Sequence, residues 1–167
     1  MTVYPNTAEL ILRLGELSDL RRQGVGSLMV DHFCEVARES GCHSLNPDWE
    51  RLQVLEDAER LIIWVAEYVS PDSDNSEVVG YCCSVLAEHM HNKDQLQLVN
   101  NAIFVSPTVR SKGVGGLLMR ATEDSAAEWA ADMVWHAPAH SRLDRILSSS
   151  SGYRPTITSY VKKESNG

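Results

Sequence analysis

Seven consecutive residues carry the chemistry of this sequence: Arg110-Ser111-Lys112-Gly113-Val114-Gly115-Gly116. They follow an apolar run and open a segment with helical spacing. Glycines let a backbone approach a ligand closely and turn freely. The first N–H groups of a helix lack partners in the helix, so they point at whatever lies before it, and the helix dipole favours an anion there. Arg110 and Lys112 add positive charge. The arrangement is a cradle for a diphosphate. It is not a dinucleotide-fold loop, because no GxGxxG follows the first strand, and GxxxxGK[ST] is absent. A second run, Arg21-Arg22-Gln23-Gly24-Val25-Gly26, repeats the R-x-x-G-V-G spacing.

The elements that must position this loop can be read from periodicity. LILRL (10–14) is an expected strand. A helix capped by Ser18 or Asp19 follows, running to Gly41, and Asn46-Pro47 opens another. Three β-branched, aromatic-rich strands come next, at 61–70, 78–90 and 96–106, joined by the polar turns PDSDNSE and HNKDQ. The loop then leads into a helix over LLMRATEDSAAEWAAD. A strand at 133–137, a short helix ending at Gly152 and a last strand at 156–163 complete the order β-α-α-β-β-β-α-β-α-β. The fold class is α/β: a mixed, mostly antiparallel central sheet flanked by helices. No linker divides the chain, so residues 1–167 are expected to be one domain, frayed at 1–8 and 164–167.

Read through FVSPTVRSKGVGGLLM (104–119), the sequence resembles the GNAT superfamily of acyl-CoA-dependent N-acyltransferases. Val105-Ser106-Pro107 is similar to the segment that ends the family's strand before its pyrophosphate loop. Val79-Gly80-Tyr81 resembles the start of its third strand, and ILSSSSGYRP the stretch before its final strand. The resemblance implies acetyl-CoA or another acyl-CoA as co-substrate, with an amine acceptor, either a small molecule or a protein. It implies that backbone groups of Ile103, Phe104 and Val105 hold the pantetheine arm where 96–106 splays from 133–137. The pyrophosphate would rest on N–H groups of Lys112 to Gly116, within the loop Arg110, Ser111, Lys112, Gly113, Val114, Gly115, Gly116. The early copy at 21–26 is read as a coincidence at a helix start near the acceptor cleft, because neither the meander nor the following strand is repeated around it.

An alkylamine attacks a thioester only as the free base, so a base and an oxyanion stabiliser are needed. Base candidates are Glu88, His89 and His91 near a turn, and His136 on the strand beside the thioester; solvated or core roles are the plainer readings of each. Many family members place a tyrosine acid four residues before a Gly-aromatic pair. Here the pair is Gly152-Tyr153 and the position is Ser148, which opens an alternative: a CoA-binding or structural module with little or no turnover. Asn100-Asn101 within an apolar strand needs partners for any buried amide, or one side chain facing water. Trp49, Trp64, Trp129 and Trp135 are expected in the core.

Composition excludes several classes. Fifteen Lys and Arg against twenty-three Asp and Glu give a net charge of −8, which argues against nucleic acid. No window reaches the apolar length of a membrane span, and the N-terminus lacks a signal-peptide pattern, so a cytoplasmic protein is expected. Cys34, Cys42, Cys82 and Cys83 have no zinc-ligand spacing and read as reduced core thiols. His89-x-His91 lacks a third ligand, and no metal is expected. Whether the chain forms a homodimer stays open.

Overall fold

The computed structural model of the chain describes residues 9–40, 44–69 and 76–156. These form two compact units, divided between Trp135 and His136. In the first, strand β1 (Glu9–Gly15) leads into helices α1 (Leu17–Arg21), α2 (Gln23–Ser40) and α3 (Trp49–Asp57). Strands β2 (Leu61–Val69), β3 (Ser76–His89) and β4 (Asn92–Val105) follow. A 3-10 segment (Pro107–Lys112), helix α4 (Val114–Glu128) and strand β5 (Asp132–Val134) complete this unit. The second unit contains α5 (Arg142–Ser149), capped by Ser141, whose Oγ accepts from the Asp144 N–H at 3.1 Å. The last expected strand, 156–163, lies outside the described residues except for Thr156, which has no regular structure.

The sheet has the order β1-β2-β3-β4-β5. Its first three pairings are antiparallel and β4–β5 is parallel. This is the mixed, mostly antiparallel sheet expected from the sequence. Alternation of side chains sends apolar groups to both faces. On one face Tyr81, Cys83, Phe104, Ile63 and Val65 pack against Leu17, Leu20, Val25 and Leu28 of α1 and α2. On the other, Val79, Cys82 and Val105 pack against Val114 and Leu118 of α4. Burying one such Val or Leu contributes roughly 1.5–3 kcal/mol, so the two sandwiched layers fix the helices on the sheet.

Four local expectations need correction. The helix expected from residue 18 to 41 is two helices, broken where Arg22 adopts extended backbone (ψ 157°). Asp19 is not its N-cap: Glu16 is, and Asp19 is the third helical residue of the capping box of α1, its carboxylate accepting the Glu16 N–H at 2.9 Å while pairing with Arg13 at 2.8 Å. The turn HNKDQ shrinks to Met90-His91, the rest joining β4. Trp129 is largely exposed at the end of α4, unlike the partly buried Trp49, Trp64 and Trp135. Among the described residues no helix is long and apolar enough to cross a membrane.

Candidate active site

β4 and the segment after it build the site. The β4–β5 pairing covers only Gln97↔Asp132, Leu98↔Met133 and Val99↔Val134. Beyond Val99, β4 runs on to Val105, whereas β5 ends at Val134; the Trp135 Nε1 donates to Glu123 on α4 at 3.2 Å. The Ser106 N–H donates to the Val79 carbonyl at 2.8 Å. Backbone groups alternate along a strand, so those of Phe104 and Ala102 also face β3, whereas those of Ile103 and Val105 face the open edge. The sequence-predicted edge residues Ile103 and Val105 therefore present backbone to the gap, and Phe104 presents its side chain to the α2 face.

A β-bulge shapes this edge. Cys83 pairs with Ala102 and Ser84 with Asn100, which leaves Asn101 as the extra residue. Asn101 is exposed; Asn100 is buried, its Nδ2 donating to the Ala102 carbonyl at 3.1 Å, the Cys83 carbonyl at 3.4 Å and the Cys82 Sγ at 3.3 Å. The buried amide of the Asn pair is thus satisfied within the chain, where it braces the bulge.

The Gly-rich loop closes the same end of the sheet. Gly113 caps α4 with a left-handed backbone (φ +80°), a conformation open to glycine at little cost. Val114 is buried and anchors the turn. Helix bonding begins with the Leu117 N–H to the Gly113 carbonyl at 3.2 Å, so the N–H groups of Val114, Gly115 and Gly116 lie in the unbonded first turn. A Cβ added at Gly116 would meet nothing within 4 Å, and one at Gly115 would meet only Val105 Cγ2 at 3.8 Å. Neither glycine answers a steric need inside the protein. The chain keeps open space above the helix start, as an anion approaching the backbone requires.

The early copy differs on this point. A Cβ at Gly24 would press on Val78 Cγ2 at 3.0 Å, and Val25 is buried against the sheet. Gly24 has an internal packing reason, so the repeat at 21–26 seats α2 on β3.

The basic side chains of the loop are engaged. Arg110 Nε donates to the Val105 carbonyl at 2.9 Å, its Nη2 pairs with Glu35 of α2 at 2.6 Å, and its guanidinium lies 5.1 Å from the Phe104 ring centre. Lys112 Nζ sits 5.5 Å from the Tyr68 ring centre. Ser111 is exposed.

The catalytic candidates are scattered. Glu88 pairs with Arg60 at 2.8 Å, and His89 accepts the His91 N–H at 3.2 Å, all at the β3–β4 hairpin. Leu96, the partner of Glu88, is seven residues along β4 from Ile103, roughly 23 Å of strand. The structure does not bring Glu88, His89 or His91 to the open edge. His136 is not on β5, which ends at Val134; it is exposed in the second unit, two residues before Pro138. Ser148 is exposed near the end of α5, its Oγ donating to the Arg145 carbonyl at 3.3 Å.

One group escaped the sequence reading. His32 on α2 stacks on Phe104 at 5.0 Å and shares a 2.8 Å hydrogen bond with the Tyr81 hydroxyl. Burial lowers its pKa, with Glu35 opposing and Arg110 reinforcing the shift; burial raises that of Tyr81. Burial thus disfavours the protonated form of the histidine. Only its spacing from Glu35, one helical turn on, hinted at a shared face. Among the described residues no group of three or more His, Cys, Asp or Glu could hold a metal.

Residues 59–150, more than half of the chain, match the acetyltransferase (GNAT) domain family. Solved structures similar in fold include the aminoglycoside acetyltransferase meta-AAC0020 from an uncultured soil metagenomic sample, in complex with sisomicin. It is 20% identical, with a TM-score of 0.64 over 93% of this chain and 96% of that one. A ribosomal-protein-alanine N-acetyltransferase from Brucella melitensis biovar Abortus 2308 is 17% identical, at 0.64 over 93% and 100%. A predicted acetyltransferase from Clostridium acetobutylicum, solved with acetyl-CoA, is 15% identical, at 0.62 over 93% and 96%. No curated protein matches significantly in sequence. The matched segment takes in the glycine-lined start of α4 and the end of β4 that β5 leaves unpaired, and the chain belongs to the GNAT acetyltransferase family.

Proposed function

We propose that this protein is an N-acyltransferase that transfers an acyl group from acyl-CoA, most simply acetyl-CoA, to an amine on a small molecule or protein. The observation that carries the reading is the pair Gly115 and Gly116, which leave the start of α4 open where no internal contact demands it. The residues fit the co-substrate. N–H groups of Lys112 to Gly116 would hold the pyrophosphate, and the outward backbone of Ile103 and Val105 would hold the pantetheine amides. When bound, the thioester supplies an activated acyl carbon and a thiolate leaving group. The chain positions that carbon along the open edge of β4, and this alignment supplies much of the rate. Both units are assigned to one acyltransferase domain, and a cytoplasmic setting agrees with the buried free thiols of Cys82 and Cys83.

Ser148 favours a second reading. Its hydroxyl is spent on its own helix, so it makes a poor stand-in for a tyrosine acid. A CoA-binding protein without turnover would look the same there. Incubation with acetyl-CoA and a panel of amines and peptides, followed by thiol release, separates the two. Amine-dependent thiol release supports the transferase; CoA binding without release supports the module.

A further inference from the structure

We propose that Arg110 serves the acyl-CoA site as a positioning residue, pinning the end of β4 to α2 with Glu35 as its partner, and not as a ligand of the phosphates. The proposal rests on the acyl-CoA reading above and assigns a mechanism to one of its residues. Three contacts carry it. Arg110 Nε holds the carbonyl of Val105 at 2.9 Å, and that carbonyl faces the open edge. Arg110 Nη2 meets Glu35 Oε2 at 2.6 Å, across to α2. The guanidinium lies over Phe104, the ring on which His32, also from α2, is stacked. A planar, forked cation is suited to holding a carbonyl, a carboxylate and an aromatic face together; an ammonium is not.

The geometry has two consequences. Turning Arg110 toward a phosphate would break a charge-assisted bond to Glu35 and leave that carboxylate beside the incoming anion. With one lone pair of the Val105 carbonyl engaged by Arg110, the edge offers the pantetheine amides chiefly the Val105 N–H and both backbone groups of Ile103. The strut thus fixes which hydrogen-bonding groups the arm meets, and the anion is left to the N–H groups at the start of α4.

Calorimetric titration of the full chain with CoA tests this, using Arg110→Lys, Arg110→Gln, Glu35→Ala and the Arg110→Gln/Glu35→Ala double variant, each checked for its melting temperature. A strut predicts that Arg110→Lys, which keeps the charge, weakens CoA about tenfold. Glu35→Ala weakens it about threefold, since the pair is partly exposed. The double variant is no worse than Arg110→Gln, and Arg110→Gln leaves the salt dependence of binding at the wild-type slope. A phosphate ligand predicts the reverse sign at Glu35, because removing a competing carboxylate tightens CoA. Wild-type affinity in Arg110→Lys, or unchanged or tighter binding in Glu35→Ala, overturns the proposal and leaves the acyl-CoA reading intact. Absence of CoA binding by the wild type overturns that reading itself. Glu35→Ala places a good helix former at an exposed helical position, so it carries the test alone if the arginine variants do not fold.

Discussion

Replacing Gly115 and Gly116 together by alanine should make the protein more stable and worse at binding CoA. Both residues lie in the first turn of α4, and neither has positive φ. The added methyls meet nothing nearer than Val105 Cγ2 at 3.8 Å, an ordinary van der Waals distance. Ala is favoured over Gly by about 1 kcal/mol in a helix interior, and by roughly half that in the first turn, so the double variant gains about 1 kcal/mol. For a chain of this size that raises Tm by about 2–4 °C. On the proposed reading the same methyls would stand where a diphosphate approaches the N–H groups, and a loss of at least about tenfold in CoA affinity is expected, about 1.4 kcal/mol. Thermal denaturation and calorimetry on one preparation measure both signs. A double variant that binds CoA like the wild type, or that melts lower, would refute the claim that these glycines are kept for an external ligand.

Gly113→Ala should act oppositely on stability, costing about 1–2 kcal/mol by forcing a Cβ into left-handed backbone, read as a lowered Tm. Arg13 bridges Asp19 and Glu67, both buried, so Arg13→Met should destabilise by about 2–3 kcal/mol in denaturant titration. The Arg13 hydrogen bond holds the Asp19 carboxyl below its usual pKa despite burial. That stability is present above the unfolded value of about 3.9 and is lost as pH falls through the folded one; Asp19→Asn should flatten this acid limb. Thiol titration of the native protein should find Cys34 reactive, with Cys82 and Cys83, pushed up to about 11 and about 12 by burial, reacting only in denaturant. Ser148→Ala should change kcat/KM by less than about tenfold, with total loss of turnover assigning the serine a catalytic role.

The glycine-rich start of α4 was legible in the sequence because glycine spacing at a helix start is a local property, and so was the sheet, whose β-branched and aromatic runs are set off by polar turns. The two R-x-x-G-V-G runs could not be told apart at that level. What separates them is the neighbour of each glycine: Val78 crowding Gly24, and open space at Gly116. The catalytic candidates fared worst. Glu88 and His89 were attractive as titratable groups at a strand end, but which end of a strand meets the glycine-rich loop follows from register, and β4 carries that loop at its other end. His32 and Glu35 were invisible because their partners, Tyr81, Phe104 and Arg110, are tertiary contacts. Extended backbone at Arg22 breaks a helix that periodicity alone would continue.

The most direct test of the whole account is thiol release from acetyl-CoA by the purified protein across a broad panel of amines and peptides, with CoA affinity measured in parallel. The account predicts saturable CoA binding and release that depends on at least one amine and falls in the Gly115→Ala/Gly116→Ala variant. Failure to bind CoA, or binding with no amine-dependent release across the panel, would contradict it.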